Sequence, residues 1–191
     1  MVALTFDDGY IPANVLAILG TLQSARVNAT FFPIMLAVSE SPSTWRRVAG
    51  AGFPIGNHTY DHAALSAKCY QAQLAELTRW TGGIRALGIS PLPVMRPPGG
   101  SYDATTRLAA TAAGQRDLVL WDVDTNDWRG LSTATIVANA LAGTDGSIVL
   151  MHTYVANTVA ALPQIIAGYQ SRGFTFVTVG QLFGIAGAVP Y

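Results

Sequence analysis

Val2-Ala3-Leu4-Thr5-Phe6-Asp7-Asp8-Gly9, a helical pattern over residues 12–24, and then Ala29-Thr30-Phe31-Phe32 read as strand, helix, strand. A short β-rich run, a longer run with helical spacing and a second β-rich run argue for parallel strands joined by a helical crossover. The alternation continues outward from this unit. Further candidate strands lie at 53–56, 93–96, 118–121, 147–152 and 174–177, with helical patterns at 42–51, 66–87, 103–113, 133–141 and 158–172. Ser41 before Pro42, Asp103, and Ser132 with Thr133 mark helix starts. Gly88, Gly114 and Gly173 mark stops. About seven such units without a break predict a single α/β domain over residues 1–191, a barrel related to the eight-unit (β/α) design. An open doubly wound sheet is the alternative; no glycine-rich phosphate fingerprint follows any strand, which weakens a nucleotide-binding reading. The tail at 184–191 reads as loose.

Composition narrows the function classes. Half of the 191 residues are hydrophobic, only 12% are charged and the formal net charge is zero. That suits one sizeable core and leaves no basic patch for nucleic acid or an anionic membrane surface. No apolar stretch reaches the ~18 residues of a membrane span. Cys69 is the only cysteine, which excludes an internal disulfide and a cysteine-rich zinc site. Lys68 is the only lysine.

In a (β/α) barrel the C-terminal ends of the strands carry the chemistry. The conspicuous polar residues fall there. Asp7 and Asp8 follow the first strand, Asn57-His58-Thr59-Tyr60-Asp61-His62 the third, Arg96 ends the fourth, residues 122–127 follow the fifth and His152 ends the sixth.

His58 and His62, four apart, would share one helical face and reach one ion, with Asp8 as third ligand and coordination positions left open. Asp8-Gly9 also reads as an ordinary turn, but that leaves Asp7 unexplained. Adjacent carboxylates repel unless something positive stands nearby. A cation beside Asp8 and Arg96 beside Asp7 would give the two acids different roles, with Asp7 free to act as a base. Arg96-Pro97-Pro98-Gly99-Gly100 reads as a rigid loop, and its uncrowded Gly99 N–H could face a reacting oxygen. Trp121-Asp122-Val123-Asp124-Thr125-Asn126-Asp127-Trp128 reads as a solvated acidic loop, as a calcium loop lacking the usual glycine and glutamate, or, given its tryptophans, as part of a sugar site. His152 alone would read as a packed histidine. Near a carboxylate such as Asp124, it reads as a proton-transfer group.

Taken in order from Thr5 to His152, these segments resemble the polysaccharide deacetylases of carbohydrate esterase family 4, the NodB-homology domain. The resemblance implies a distorted (β/α) barrel that removes acetyl groups from carbohydrate with a divalent metal, usually Zn2+, with Co2+, Mn2+ or Ni2+ as alternatives. It implies Asp7 as general base and Asp8, His58 and His62 as metal ligands. Arg96 would hold Asp7, and the Gly99 N–H would help bind the oxyanion. Asp124 would pair with His152, the general acid, and Trp128 and Leu150 would line the acetyl pocket. Three positions depart from the family pattern: Tyr10 where proline is usual, Gly99 where an aromatic is common and Thr153 where aspartate is frequent. These touch substrate preference rather than the chemistry.

The expected substrates are acetylated polysaccharides or oligosaccharides: N-acetylglucosamine polymers such as chitin or peptidoglycan, or, with the same apparatus, acetylxylan. The chain is expected to work as a monomer, outside the cell or at the cell wall; that location follows from the substrate class, since no signal peptide is legible. A glycoside hydrolase using Asp7 and Asp124 would leave the histidine pair without purpose. A sugar-binding module without catalysis would leave Asp7 and His152 unexplained.

Overall fold

Every residue of β1, Val2–Asp8, is buried, as expected of a central parallel strand covered on both faces. The structure, a computed structural model, describes residues 1–185. β1 pairs with β2 (Thr30–Pro33) on one side and β6 (Ser147–His152) on the other, both parallel. β6 also pairs with β5 (Val123–Asp124), and β3 (Val94–Met95) with β4 (Asp117–Leu118). Single parallel bridges, Phe31 to Ile55 and Asn57 to Met95, link β2 to β3.

The run at 118–121, expected as one strand, is divided. Its start pairs with β3, the Val119 N–H donating to Met95; by Asp122 the N–H donates to Ile148 on β6. One stretch of chain thus serves opposite neighbours at its two ends, and this closes the ring. The expected strands at 53–56 and 174–177 contribute only single bridges, Ile55 to Phe31 and Phe176 to Val2. Few regular ladders and a ring closed by a bend are what make the barrel distorted.

Side chains alternate across the wall as the strand period requires. Leu4, Phe6, Val149 and Met151 face outward into the main cluster beneath the helices, with Val15, Ile18, Trp45 and Ile165. Phe6 stacks on Phe31 at 5.3 Å. Ala3, Phe32, Val94 and Val119 form a second cluster inside the ring, joined by Val177, Val179 and Ile185. Full burial of each such large side chain contributes about 1.5–3 kcal/mol. The inward series on β1 and β6 ends in polar groups: Asp7 is the register partner of His152.

The helices are α1 (Pro12–Ala25), α2 (Met35–Glu40), α3 (Pro42–Gly50), α4 (Tyr70–Ala86), α5 (Ala104–Ala112), α6 (Thr133–Ala140), α7 (Ala156–Ser171) and α8 (Val179–Leu182). Asp103 closes a capping box with Thr106 at the start of α5, and Ser132 caps α6. The Ser41 hydroxyl donates instead to the Ala37 carbonyl of α2, a short helix the sequence reading did not anticipate, as it did not anticipate α8. The pattern at 66–87 separates into a 3-10 turn, Leu65–Ala67, and α4. Ile185, inside the tail read as loose, packs against the inner cluster; residues 186–191 lie outside the described residues. No described helix is long and apolar enough to cross a membrane.

Candidate metal and proton-transfer site

Consecutive strand residues point to opposite faces, so an ideal β1 would send Asp7 and Asp8 apart. Asp8 instead takes a left-handed φ of 76°, and both carboxylates line one cavity of about 320 Å³ at the C-terminal rim. Thr153 fastens this turn. Its hydroxyl donates to the Asp7 carbonyl at 3.0 Å and accepts from the Gly9 N–H at 2.7 Å. The departure at Thr153 thus has a structural use: it ties the end of β1 to the end of β6.

The histidines converge by a different route from the one expected. Residues 57–62 form no helix; the chain is a loop with left-handed φ at Thr59 (69°) and His62 (66°). The Asn57 carboxamide accepts from the Thr59 N–H at 2.8 Å and the Thr59 hydroxyl from the His62 N–H at 3.1 Å. This folds the loop so that the two imidazole centroids stand 5.0 Å apart. His58 Nδ1 lies 2.8 Å from the Arg96 carbonyl, so that nitrogen donates and Nε2 is left with its lone pair toward the cavity.

The geometry suits a metal ion. Asp8 Oδ1 lies 3.5 Å from His58 Nε2 and 3.4 Å from His62 Nε2, and the three ligand atoms are all within 4.8 Å of one another. Two donors each about 2.1 Å from a tetrahedral ion stand about 3.4 Å apart. Asp8 Oδ1 is also buried without a hydrogen-bond partner, an arrangement that costs free energy unless a cation completes it. Without a cation the electrostatics shift accordingly. Burial alone would raise the Asp8 pKa, but His58, His62 and His152 outweigh it and lower it. Burial disfavours charged His58, but Asp7 and Asp8 prevail and raise its pKa, whereas burial and the neighbouring His58 lower that of His62.

Arg96 is fully buried beside Asp7, as expected. One guanidinium nitrogen donates to Asp7 Oδ1 and to the Thr5 hydroxyl, each at 2.8 Å, and the others reach the carbonyls of Val119 and Leu120. The Phe32 ring lies 4.4 Å beneath it.

The partner assigned to His152 is corrected. His152 Nδ1 meets Asp127, not Asp124, at 2.7 Å. Asp124 turns back on its own loop, its carboxylate accepting from the Asn126 N–H at 2.8 Å. A left-handed Asn126 (φ 53°) then carries Asp127 beneath the ring, where it is fully buried. Asp127 also accepts from the backbone N–H groups of His152 (2.7 Å) and Trp128 (2.9 Å) and from the Thr158 hydroxyl (2.5 Å). Burial works against protonated His152, but Asp127, helped by Asp7 and Asp8, outweighs it and raises the pKa.

Gly99, Asp124, Trp128 and Leu150 all line the cavity, Trp128 with half its surface exposed and Leu150 buried. Trp121 and Tyr154 complete the wall. Tyr154 was not anticipated; its place two residues after His152 was the only signal in the sequence. Burial, with Asp8 and Asp127 nearby, pushes its hydroxyl up to about 12.

A family model described as polysaccharide deacetylase matches residues 1–118. The peptidoglycan-N-acetylglucosamine deacetylase PgdA of Listeria monocytogenes is 34% identical over 185 residues, covering 96% of this chain and 39% of that protein. A bifunctional xylanase/deacetylase of Pseudobutyrivibrio xylanivorans is 33% identical over 198 residues, covering 100% of this chain and 31% of that protein. This chain therefore spans two fifths or less of the length of these two curated relatives. The solved structure of peptidoglycan deacetylase PdaC from Bacillus subtilis superposes with a TM-score of 0.88 at 32% identity, over 97% of this chain and 90% of that one. A family model matching well over half the sequence, and a barrel that superposes almost from end to end, establish that the chain belongs to the polysaccharide deacetylase family.

Proposed function

We propose that residues 1–191 form one catalytic domain that hydrolyses acetyl groups from carbohydrate, with N-acetylglucosamine polymers or oligomers as the main substrates. One observation carries the reading. A three-ligand metal set, an Arg96-held Asp7 and an Asp127-held His152 face one another in a single cavity.

A divalent cation held by Asp8, His58 and His62, Zn2+ first for this donor set with Co2+, Mn2+ or Ni2+ as substitutes, would polarise the acetyl carbonyl and acidify the attacking water. Asp7, fixed by Arg96 at 2.8 Å, accepts the proton from that water. The Gly99 N–H donates to the oxyanion, a contact worth about 3–4 kcal/mol in comparable sites. His152, with Nδ1 engaged by Asp127, presents Nε2 to the leaving group and protonates it. An amide needs this proton more than an ester does, because an amine anion is a very poor leaving group. Trp128 and Leu150 would enclose the acetyl methyl.

Peptidoglycan as substrate, with action at the cell wall or outside the cell, is supported by the names of the Listeria and Bacillus relatives. Acetylxylan is the second reading, supported by the xylanase/deacetylase relative. Acetate release from chitooligosaccharide, peptidoglycan and acetylxylan should be measured side by side, before and after chelation and after added Zn2+. We expect activity that the chelator abolishes and Zn2+ restores. Activity indifferent to metal removal, or cleaved glycan chains with no acetate, would refute the proposal.

A further inference from the structure

Glu76 lies in the second turn of α4, too far along the helix to cap it, and is only 5% exposed. A carboxylate so placed is costly unless paired and hydrogen-bonded. Its partners are two backbone N–H groups of the histidine loop and the ammonium of Lys68. Oε2 accepts from the backbone N–H groups of Tyr60 at 3.0 Å and Asp61 at 3.3 Å. Oε1 meets the ammonium of Lys68, the chain's only lysine, at 3.3 Å. Tyr60 and Asp61 are the residues between Thr59 and His62, the two left-handed positions of the loop. Positive φ is unusual for any side chain and strained for a β-branched one such as Thr59. Such a conformation persists only where its surroundings over-determine it.

α4 supplies that surrounding structure. The Asn57 amide donates to the Leu77 carbonyl at 3.1 Å, and Trp80 anchors the helix to the Pro33 carbonyl at 2.7 Å. Asn57 thereby fixes the entry of the loop and Glu76 its crest. His58 and His62 stand on either side of the two N–H groups that Glu76 holds.

We propose that Glu76 is a positioning residue for the metal site, its carboxylate holding the 59–62 turn so that His58 and His62 are aimed at one point before any cation arrives. This rests on the metal reading above. Groups that orient ligands from outside the coordination shell typically change metal affinity or activity 10–100-fold when removed.

The test titrates Co2+ into metal-stripped protein, reading its visible absorption, alongside melts of the metal-free variants. Glu76→Ala should weaken Co2+ binding at least tenfold. Glu76→Asp, which keeps the charge but withdraws the oxygen by one methylene, should do the same. Glu76→Gln, which keeps an acceptor at the right distance, should recover most of the affinity. A purely structural role would lower the melting temperature and leave Co2+ affinity of the folded variants within twofold of the wild type; that result overturns the inference. If Glu76→Ala does not fold, wild-type affinity in folded Glu76→Asp overturns it equally. A wild-type protein that takes up no Co2+ overturns the metal reading itself, and this inference with it.

Discussion

Asp127→Asn should move the descending limb of the pH–rate profile to lower pH, a direction that the structure fixes. His152 must be protonated to act as the acid, and its pKa is raised because Asp127 and the more distant Asp7 and Asp8 outweigh burial. The contact is a hydrogen bond of 2.7 Å to a fully buried carboxyl group. Hydrogen bonds to charged groups contribute about 1.5–3 kcal/mol. Losing the charge should therefore lower the His152 pKa. The basic limb of kcat should move to lower pH, and a loss of that size, at about 1.4 kcal/mol per tenfold, leaves a ~10–100-fold deficit above both pKa values and little deficit below them. Acetate release from chitooligosaccharide across the alkaline range, at saturating Zn2+, reads this directly. Asp124→Asn is the control, since its carboxylate bonds only within its own loop. An unmoved limb in Asp127→Asn, or an equal shift in Asp124→Asn, refutes the reasoning. Stability should be measured beside it. The His152 N–H and Thr158 hydroxyl lose a carboxylate oxygen, and an unsatisfied buried donor costs about 1–3 kcal/mol.

The remaining predictions separate the roles assigned around the cavity. Asp7→Asn should lose about 10²–10⁴-fold in turnover yet keep its Co2+ affinity, whereas His58→Ala should lose the metal; equal metal loss in both would overturn the division of labour. Arg96→Met should destabilise the fold by about 3–5 kcal/mol in denaturant unfolding, because buried Asp7 loses its hydrogen-bonded guanidinium partner. A loss below 1 kcal/mol would show that water reaches and solvates Asp7. Trp128→Ala should raise KM for oligosaccharides several-fold with stability changed by less than about 1 kcal/mol, since its ring is half exposed; unchanged KM would remove it from the substrate surface.

Local physics made much of the molecule legible in advance. The apolar start of β1, the helical runs at α1, α5 and α6 and the Asp103 and Ser132 caps rest on contacts within a few residues, so spacing alone exposes them. The candidate metal ligands Asp8, His58 and His62 were legible because histidine is scarce and these residues fall at or just after expected strand ends. The Arg96–Asp7 pair followed from the same rim argument, since a buried guanidinium requires a partner.

Whether Asp124 or Asp127 holds His152 could not be read from spacing. Both lie in one short stretch without periodicity, and the choice turns on a single left-handed residue, Asn126, together with the donors waiting beneath Asp127. The helical placement of His58 and His62 failed for the same reason: Asn57, Thr59 and Glu76 fold that segment into a loop through hydrogen bonds, one set of them from α4, fifteen or more residues away. Tertiary structure also decided how the ring closes, because a strand's hydrophobic run does not say which neighbour each of its ends will meet. The sequence by itself determined most of the helices, the central strands, the rim on which the polar groups gather and the candidate metal ligands Asp8, His58 and His62, since spacing and residue type are local properties. Only the folded chain decided which carboxylate steers which ring, because that depends on directions set by long-range hydrogen bonds.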